Sequence, residues 1–162
     1  MTVSPKEYNR CVNEYADGLY RFALKIMDEV EMAKDIIQES FEKLWINRKA
    51  VELSKAKSYL FTVAYHLMMD TKRKHKLQNK YESTGFDYVN NEQYSDLNEV
   101  LHRAAERLPD IQRSVLLLRD YEGYSYEEIG QITGLNLSQV KVYIHRARLQ
   151  MKLYIGSIDA VI

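Results

Sequence analysis

A single cysteine, Cys11, is present, so an internal disulfide and a cysteine-based zinc centre are both excluded. Two prolines and six glycines in 162 residues, set among long periodic stretches, point to an all-α chain. No stretch approaches the roughly 20 consecutive apolar residues needed to span a bilayer. The opening MTVSPKEYNRCVNEYADGLY has neither the charged start nor the unbroken apolar core of a signal peptide. These absences lead us to expect a protein of the reducing cytoplasm with no direct membrane insertion. Glycine-rich phosphate loops, metal-ligand clusters and nucleophile motifs are missing as well. His66, His75, His102 and His145 stand at no metal-binding helical spacing to another His or Cys. Neither an enzyme active site nor a cofactor is expected.

An excess of charge is also lacking, because 23 basic and 23 acidic side chains cancel. That argues against a protein that coats nucleic acid indiscriminately. The cancellation is a sum of blocks. Lys72, Arg73, Lys74, Lys76 and Lys80 cluster with His75, and Lys141, Arg146, Arg148 and Lys152 cluster with His145. Between them lies an acidic stretch holding Glu82, Asp87, Glu92, Asp96, Glu99 and Glu106. Local potential steers a polyanion, so two basic patches matter more than the net value.

Residues 6–27 carry apolar side chains at threes and fours, from Tyr8 and Val12 to Phe22 and Ile26, which predicts an amphipathic helix. Asp28 with Glu31 reads as a capping box for a second helix, whose core stripe is Val30, Ala33, Ile37, Phe41, Leu44 and Trp45. Asp35, Gln38, Glu39 and Glu42 form a separate polar stripe, for which a solvated face is the default explanation. A polar connection, NRKAVELSKAK, follows, with Ser54 as the expected cap of a third helix. That helix starts aromatic (Tyr59, Phe61, Tyr65) and ends basic. Cations in its last turns complement the helix dipole, but five in nine residues exceed that need. Aromatics beside a basic track suit stacked bases and phosphates, or else they are core.

Periodicity fades over 77–95, the expected linker, whose roughly 65 Å extended reach exceeds the roughly 34–36 Å of one DNA turn. It resumes over 96–107. Pro109 then opens DIQRSVLLLRDYEG at a first-turn position, with Gly123 closing that helix. The stretch SYEEIGQITGLNLSQVKVYIHRARLQMK (125–152) predicts a helix-turn-helix. Ser125 and Glu128 make one capping box and Asn136 and Gln139 another, with Gly134 at the turn between them. The second helix sets Val140, Ile144, Ala147 and Met151 on one face and Lys141, Val142, His145, Arg146 and Leu149 on the other. Such a helix enters the major groove, although an ordinary helical hairpin with a solvated basic face has the same pattern.

Taken together, AKDIIQESFEKLW, KAKSYLFTVAYHLMMDTKRKHK and LPDIQRSVLLLRDYEGYSYEEIGQITGLNLSQVKVYIHRAR resemble, in order, three segments of the bacterial RNA polymerase sigma factors of the extracytoplasmic-function group. The resemblance covers roughly residues 8–75 and 97–153. It implies that Asp35, Gln38, Glu39 and Phe41 dock on the clamp helices of the polymerase large subunit, with the flap a further contact. It implies −10 promoter contacts from Asn47, Arg48, Lys49, Tyr59, Lys72, Arg73, Lys74 and Lys76, with some of 47–57 receiving an extruded base. It implies −35 contacts from Gln139, Lys141, Val142, His145, Arg146 and Arg148. Asp70 and Arg73 match the family pattern. Tyr59 replaces a usual Trp, His66 a common Asn, Gly130 a usual Ala and Gln139 a usual Thr.

The expected fold is therefore two small helical domains joined by a flexible linker: 1–76 for docking and −10 melting, 77–95 as linker, and 96–162 as a four-helix unit with the helix-turn-helix. The expected function is promoter-specific initiation with core RNA polymerase and promoter DNA as partners, and the resemblance leaves room for a membrane-linked anti-sigma factor. A polymerase-independent helix-turn-helix regulator is the alternative, and a helical interaction protein without DNA contact a third reading. Neither gives a role to the 35–41 segment and both basic patches together.

Overall fold

The computed structural model describes residues 1–79 and 97–159, apart from the side chains of 79, 97, 98 and 157–159. Helix α1 (Pro5–Met27) begins in a reciprocal cap. Ser4 Oγ accepts from the Glu7 N–H, the Glu7 carboxylate accepts from the Ser4 N–H, and Pro5 fills the first helical position. Ahead of it, Val3 N–H donates to Arg48 O at 3.1 Å and Leu53 N–H to Met1 O at 2.9 Å, so the first residues pin the loop before α3. Helix α2 (Val30–Asn47) and, after a 3₁₀ turn (Leu53–Lys55), helix α3 (Ala56–Asn79) complete an N-terminal unit. Helices α4 (Leu97–Glu106), α5 (Asp110–Asp120), α6 (Tyr126–Thr133) and α7 (Leu137–Asp159) form the C-terminal one. The fold is all-α in two helical units. The stretch expected as linker lies outside the described residues beyond 79, and 77–79 prolong α3.

Several local expectations are corrected. Asp28 caps the end of α1 rather than the start of α2. It sits in the left-handed region (φ 56°), its N–H donates to Leu24 O, and Glu29 holds the next N-cap without a side-chain bond. The reversal between two helices a residue or two apart needs such a conformation, which Asp tolerates better than most. Ser54 lies inside the 3₁₀ turn and does not cap α3. Pro109 is the N-cap of α5 and not its first turn, while Gly123 (φ 76°) serves the turn beyond Asp120 rather than closing the helix.

In α2 the buried positions are Ala33, Ile36, Ser40, Phe41 and Leu44. Ser40 is tolerated there because its hydroxyl donates to Ile36 O at 2.6 Å. Val30 and Trp45, expected in the core stripe, are 46% and 40% exposed. The indole of Trp45 is instead clad from outside, with the Tyr8 ring 4.9 Å away and the Arg48 guanidinium 3.9 Å over its face.

One buried cluster runs through both units. It joins Leu19, Phe22 and Ile26 of α1, Leu44 of α2 and Leu60, Phe61 and Met68 of α3 to Leu117 and Leu118 of α5, Ile129 and Ile132 of α6, and Ile144 of α7. Each such side chain, fully buried, is worth about 1.5–3 kcal/mol, so neither half relies on its own small core.

Gly130, mid-α6, is placed by the turn rather than by helix propensity. A Cβ there would stand 2.9 Å from the Leu135 carbonyl oxygen, a backbone atom. Alanine is favoured over glycine in a helix by about 1 kcal/mol, yet Gly130→Ala is expected to lower the thermal midpoint. A higher midpoint in a calorimetric scan would show that the 134–136 turn yields.

Candidate nucleic-acid interface

The helix-turn-helix is built from its own caps. Glu128 N–H donates to Ser125 Oγ (3.1 Å) while Ser125 N–H donates to the Glu128 carboxylate (3.0 Å). Gly134 takes φ 78° and its N–H donates to Gly130 O. Asn136 and Gln139 exchange the same reciprocal pair at 2.8 and 3.0 Å. Val140, Ile144 and Ala147 are then buried, and Lys141, Val142, His145, Arg146 and Leu149 face outward. Arg148 is exposed too, but Asp120 of α5 holds it at 2.7 Å, so a phosphate has to compete with that carboxylate.

Along α3 the aromatics and cations divide. Phe61 and Tyr65 are core, with 1% and 5% exposure, which leaves Tyr59 as the accessible ring of the three. Its hydroxyl accepts from Asn47 Nδ2 at 2.9 Å. Lys72 is half-buried against Asp110 of α5 at 3.0 Å, and Arg73 pairs with Asp70 one turn earlier. Lys74 and Lys76 are exposed with no ion-pair partner among the described residues. Asn47, Ser58, Tyr59 and Thr62 line an open cavity of about 670 Å³, to which Gln131 and Ile132 of α6 contribute a wall.

On α2, Asp35, Gln38, Glu39 and Glu42 are exposed on one face, and Phe41 is buried beneath them with Tyr8 edge-on at 6.3 Å. Arg48 lies on Trp45 and donates to its carbonyl, and Lys49 is exposed. Sequence reasoning missed a cavity of about 470 Å³ beside this face, walled by Pro5, Tyr8, Glu42, Trp45 and the 74%-exposed Ile46. The apolar Ile46 beside Trp45, far round the helix from the stripe of Ala33, Ile37, Phe41 and Leu44, was its signal. It also missed that folding brings Asp28 to His102 and Glu106, with ligand-type atoms within 4.8 Å of one another. His102 and Glu106 already form an i,i+4 pair at 2.9 Å, which accounts for that grouping.

No helix among the described residues is long and apolar enough to cross a membrane. Residues 11–78 match the family model "Sigma-70 region 2" and residues 98–151 match "Sigma-70, region 4". Over 152 residues the chain is 32% identical to the RNA polymerase sigma factor YlaC of Bacillus subtilis, covering 86% of each. It is 30% identical to the ECF RNA polymerase sigma factor SigE of Mycolicibacterium smegmatis, matching 92% of this chain and 62% of that protein's length. Among solved structures it is similar to the sigma factor RpoE of Bartonella quintana, crystallised in complex with the anti-sigma factor NepR. That likeness has a TM-score of 0.79 and 23% identity, covering 93% of this chain and 98% of the other.

Tyr124 sits where the two units meet. Its ring packs against Phe61 at 5.5 Å and under the Lys57 ammonium at 5.2 Å. Its buried hydroxyl has no hydrogen-bond partner among the described residues. Burial, then the nearby Glu122 and Glu128 charges, push its phenol well above the ordinary value. Folding thus favours the neutral ring, and the stability it contributes is lost as pH rises beyond about 10. Tyr124→Phe is expected to keep or raise stability at pH 7, since an unpaired buried group costs about 1–3 kcal/mol. It should also soften the decline above pH 10, measured by urea unfolding across pH. A clear loss at pH 7 would give the hydroxyl a bonding role.

Proposed function

We propose a three-helix division of labour for this chain, which belongs to the extracytoplasmic-function group of RNA polymerase sigma factors and directs transcription initiation. Helix α2 docks on core polymerase through Asp35, Gln38 and Glu39, with Phe41 holding that face from beneath. Helix α3 and the loop before it engage the −10 element. Asn47 and Tyr59 line the cavity that would take an extruded base, Arg48 and Lys49 follow in the same loop, and Lys72, Arg73, Lys74 and Lys76 run along the phosphates. Helix α7 reads the −35 element through Lys141, Val142, His145 and Arg146, flanked by Gln139 and Arg148. Residues 1–76 and 96–162 act as the two functional domains.

The observation that carries this reading is the α7 face. A capped helix presents two cations, an imidazole and an apolar side chain outward while its opposite side is locked into the core. The matched region 2 leaves a polymerase-independent regulator with no use for half the chain. The protein works by assembly in the cytoplasm and not by catalysis. The Bartonella relative's complex supports an anti-sigma partner here too, and a membrane link for that partner rests on the family resemblance alone.

Purified protein added to sigma-free core polymerase should give promoter-dependent transcripts. Tight operator binding with no transcription on a cognate promoter would favour the regulator. Arg146→Ala should cost about 1–3 kcal/mol on the matched −35 sequence and relax preference there. Lys74→Ala should weaken all promoters alike, because phosphate contacts carry no sequence information. Equal losses for Arg146→Ala on matched and scrambled −35 DNA would remove it from base reading.

A further inference from the structure

We infer that Gln139 meets −35 DNA only as a hydrogen-bond donor, because the cap of α7 holds its amide in one orientation. It takes an acceptor, a phosphate oxygen or the edge of a guanine or thymine, and does not read adenine. The inference rests on the −35 reading of α7 above and gives the chemistry of one contact within it.

A glutamine amide has an acceptor end and a donor end, and its paired contact with adenine uses both. Here the acceptor end is taken. Gln139 Oε1 accepts from the Asn136 N–H at 3.0 Å, and Asn136 Oδ1 accepts from the Gln139 N–H at 2.8 Å. A backbone N–H can be met only by an acceptor, so the cap itself decides which end of the amide turns inward. The Nε2 hydrogens of this exposed side chain are left with no partner among the described residues. Gln139 lies one turn before Val142 and two before Arg146 on the outward side of α7. The first turns of a recognition helix are where it reaches DNA. Turning the amide round toward adenine would strand the Asn136 N–H, and a lost cap costs an amount comparable to what the adenine contact returns.

Helix α6 shows what the cap alone requires. There the reciprocal bond is made by Glu128, whose carboxylate accepts from the Ser125 N–H at 3.0 Å. Capping needs only an acceptor, and a carboxylate at a helix N-terminus gains further from the dipole. By helix chemistry alone Glu would serve α7 better than Gln. A carboxylate, however, has no N–H to donate and repels phosphate, whereas the amide caps and donates at once.

The experiment compares wild type with Gln139→Glu, Gln139→Met and Asn136→Ala. Thermal unfolding of the full chain reads the cap. Holoenzyme made with core polymerase is then bound to promoter DNA randomised through the −35 element, and sequencing of the bound fraction gives the base preference at each position. Gln139→Glu should hold or raise the thermal midpoint, since the acceptor stays, while Gln139→Met and Asn136→Ala should lower it. Gln139→Met should weaken DNA binding roughly three- to tenfold through the lost donor, and Gln139→Glu by more, because it adds a negative charge. Asn136→Ala breaks the other half of the cap but leaves the amide in place, so its affinity should stay near wild type. In Gln139→Met, an equal loss on every sequence assigns the donor to phosphate, and a lost guanine or thymine preference at one position assigns it to that base. A lost adenine preference overturns the inference, as does an unchanged affinity. An Asn136→Ala loss as large as that of Gln139→Met also overturns it, and so does a Gln139→Glu midpoint that falls as far as that of Gln139→Met. Wild-type holoenzyme that enriches no −35 sequence sinks the −35 reading and the inference together. The other adverse results, with normal wild-type enrichment, sink the inference alone.

Discussion

The guanidinium of Arg113 is where this molecule is tied together. It is 7% exposed and meets no carboxylate among the described residues. It is satisfied instead by backbone carbonyls. Nε donates to Ala105 at 2.9 Å, Nη2 to Glu106 and Leu108, and Nη1 to Ile26 and more distantly to Lys25. The last two belong to the final turn of α1, whose carbonyls have no partner within the helix. Those carbonyls also carry the negative end of the helix dipole, which favours a cation. One side chain therefore closes the α4–α5 turn and caps the end of a helix in the other unit. Removing it would strand several buried acceptors at once, a larger penalty than the loss of an exposed ion pair.

The placement of α6 and α7 against the N-terminal unit follows from that join. With α5 fixed against the end of α1, the turn after it brings Tyr124 onto Phe61 and α6 against α3. Helix α7 then packs across α5, α4 and α6, and its buried side, from Val140 to Ala147, dictates which side remains open. The outward direction of Arg146 is thus set by core packing two layers away, and the capping boxes fix only where the helix begins.

The local elements were legible because their causes are local. Capping boxes at 125–128 and 136–139, the glycine at 134 and the 3.6-residue stripe of α7 each act within one turn, so the helix-turn-helix could be read residue by residue. The same kind of reading failed at Asp28 and Ser54, where a cap-like pattern lost to the geometry of a tight helix reversal and a 3₁₀ turn. It assigned Trp45 to the core because it continues the helical stripe of Ile37, Phe41 and Leu44. It could not foresee that Arg48, three residues on, would cover the ring from the solvent side. The acidic face of α2 was visible as a stripe. The shared core and the pairing of Lys72 with Asp110 were not, since nothing within a helical turn of either residue announces a partner 38 positions away.

That pairing changes what the cancelled net charge means. A zero sum could reflect acids scattered as solubilising groups, leaving every cation available to DNA. In this fold many acids are spent on particular cations: Asp110 on Lys72, Asp70 on Arg73, Asp120 on Arg148 and Glu122 on Arg21. A cation already paired with a carboxylate gains less from a phosphate, because it must give up one anion to take another. Phosphate binding draws much of its free energy from counterions released when unpaired charges meet the backbone, so that log K falls by about 0.9 per contact for each tenfold rise in salt. The cations that enter that sum first are those exposed without an ion-pair partner among the described residues, Lys74 and Lys76 on α3 and Lys141 and Arg146 on α7. The paired ones are held in reserve, and they join as their own carboxylates are displaced. The distribution of acids therefore ranks the basic residues, and the order in which they become available is written in tertiary contacts rather than in the charge count.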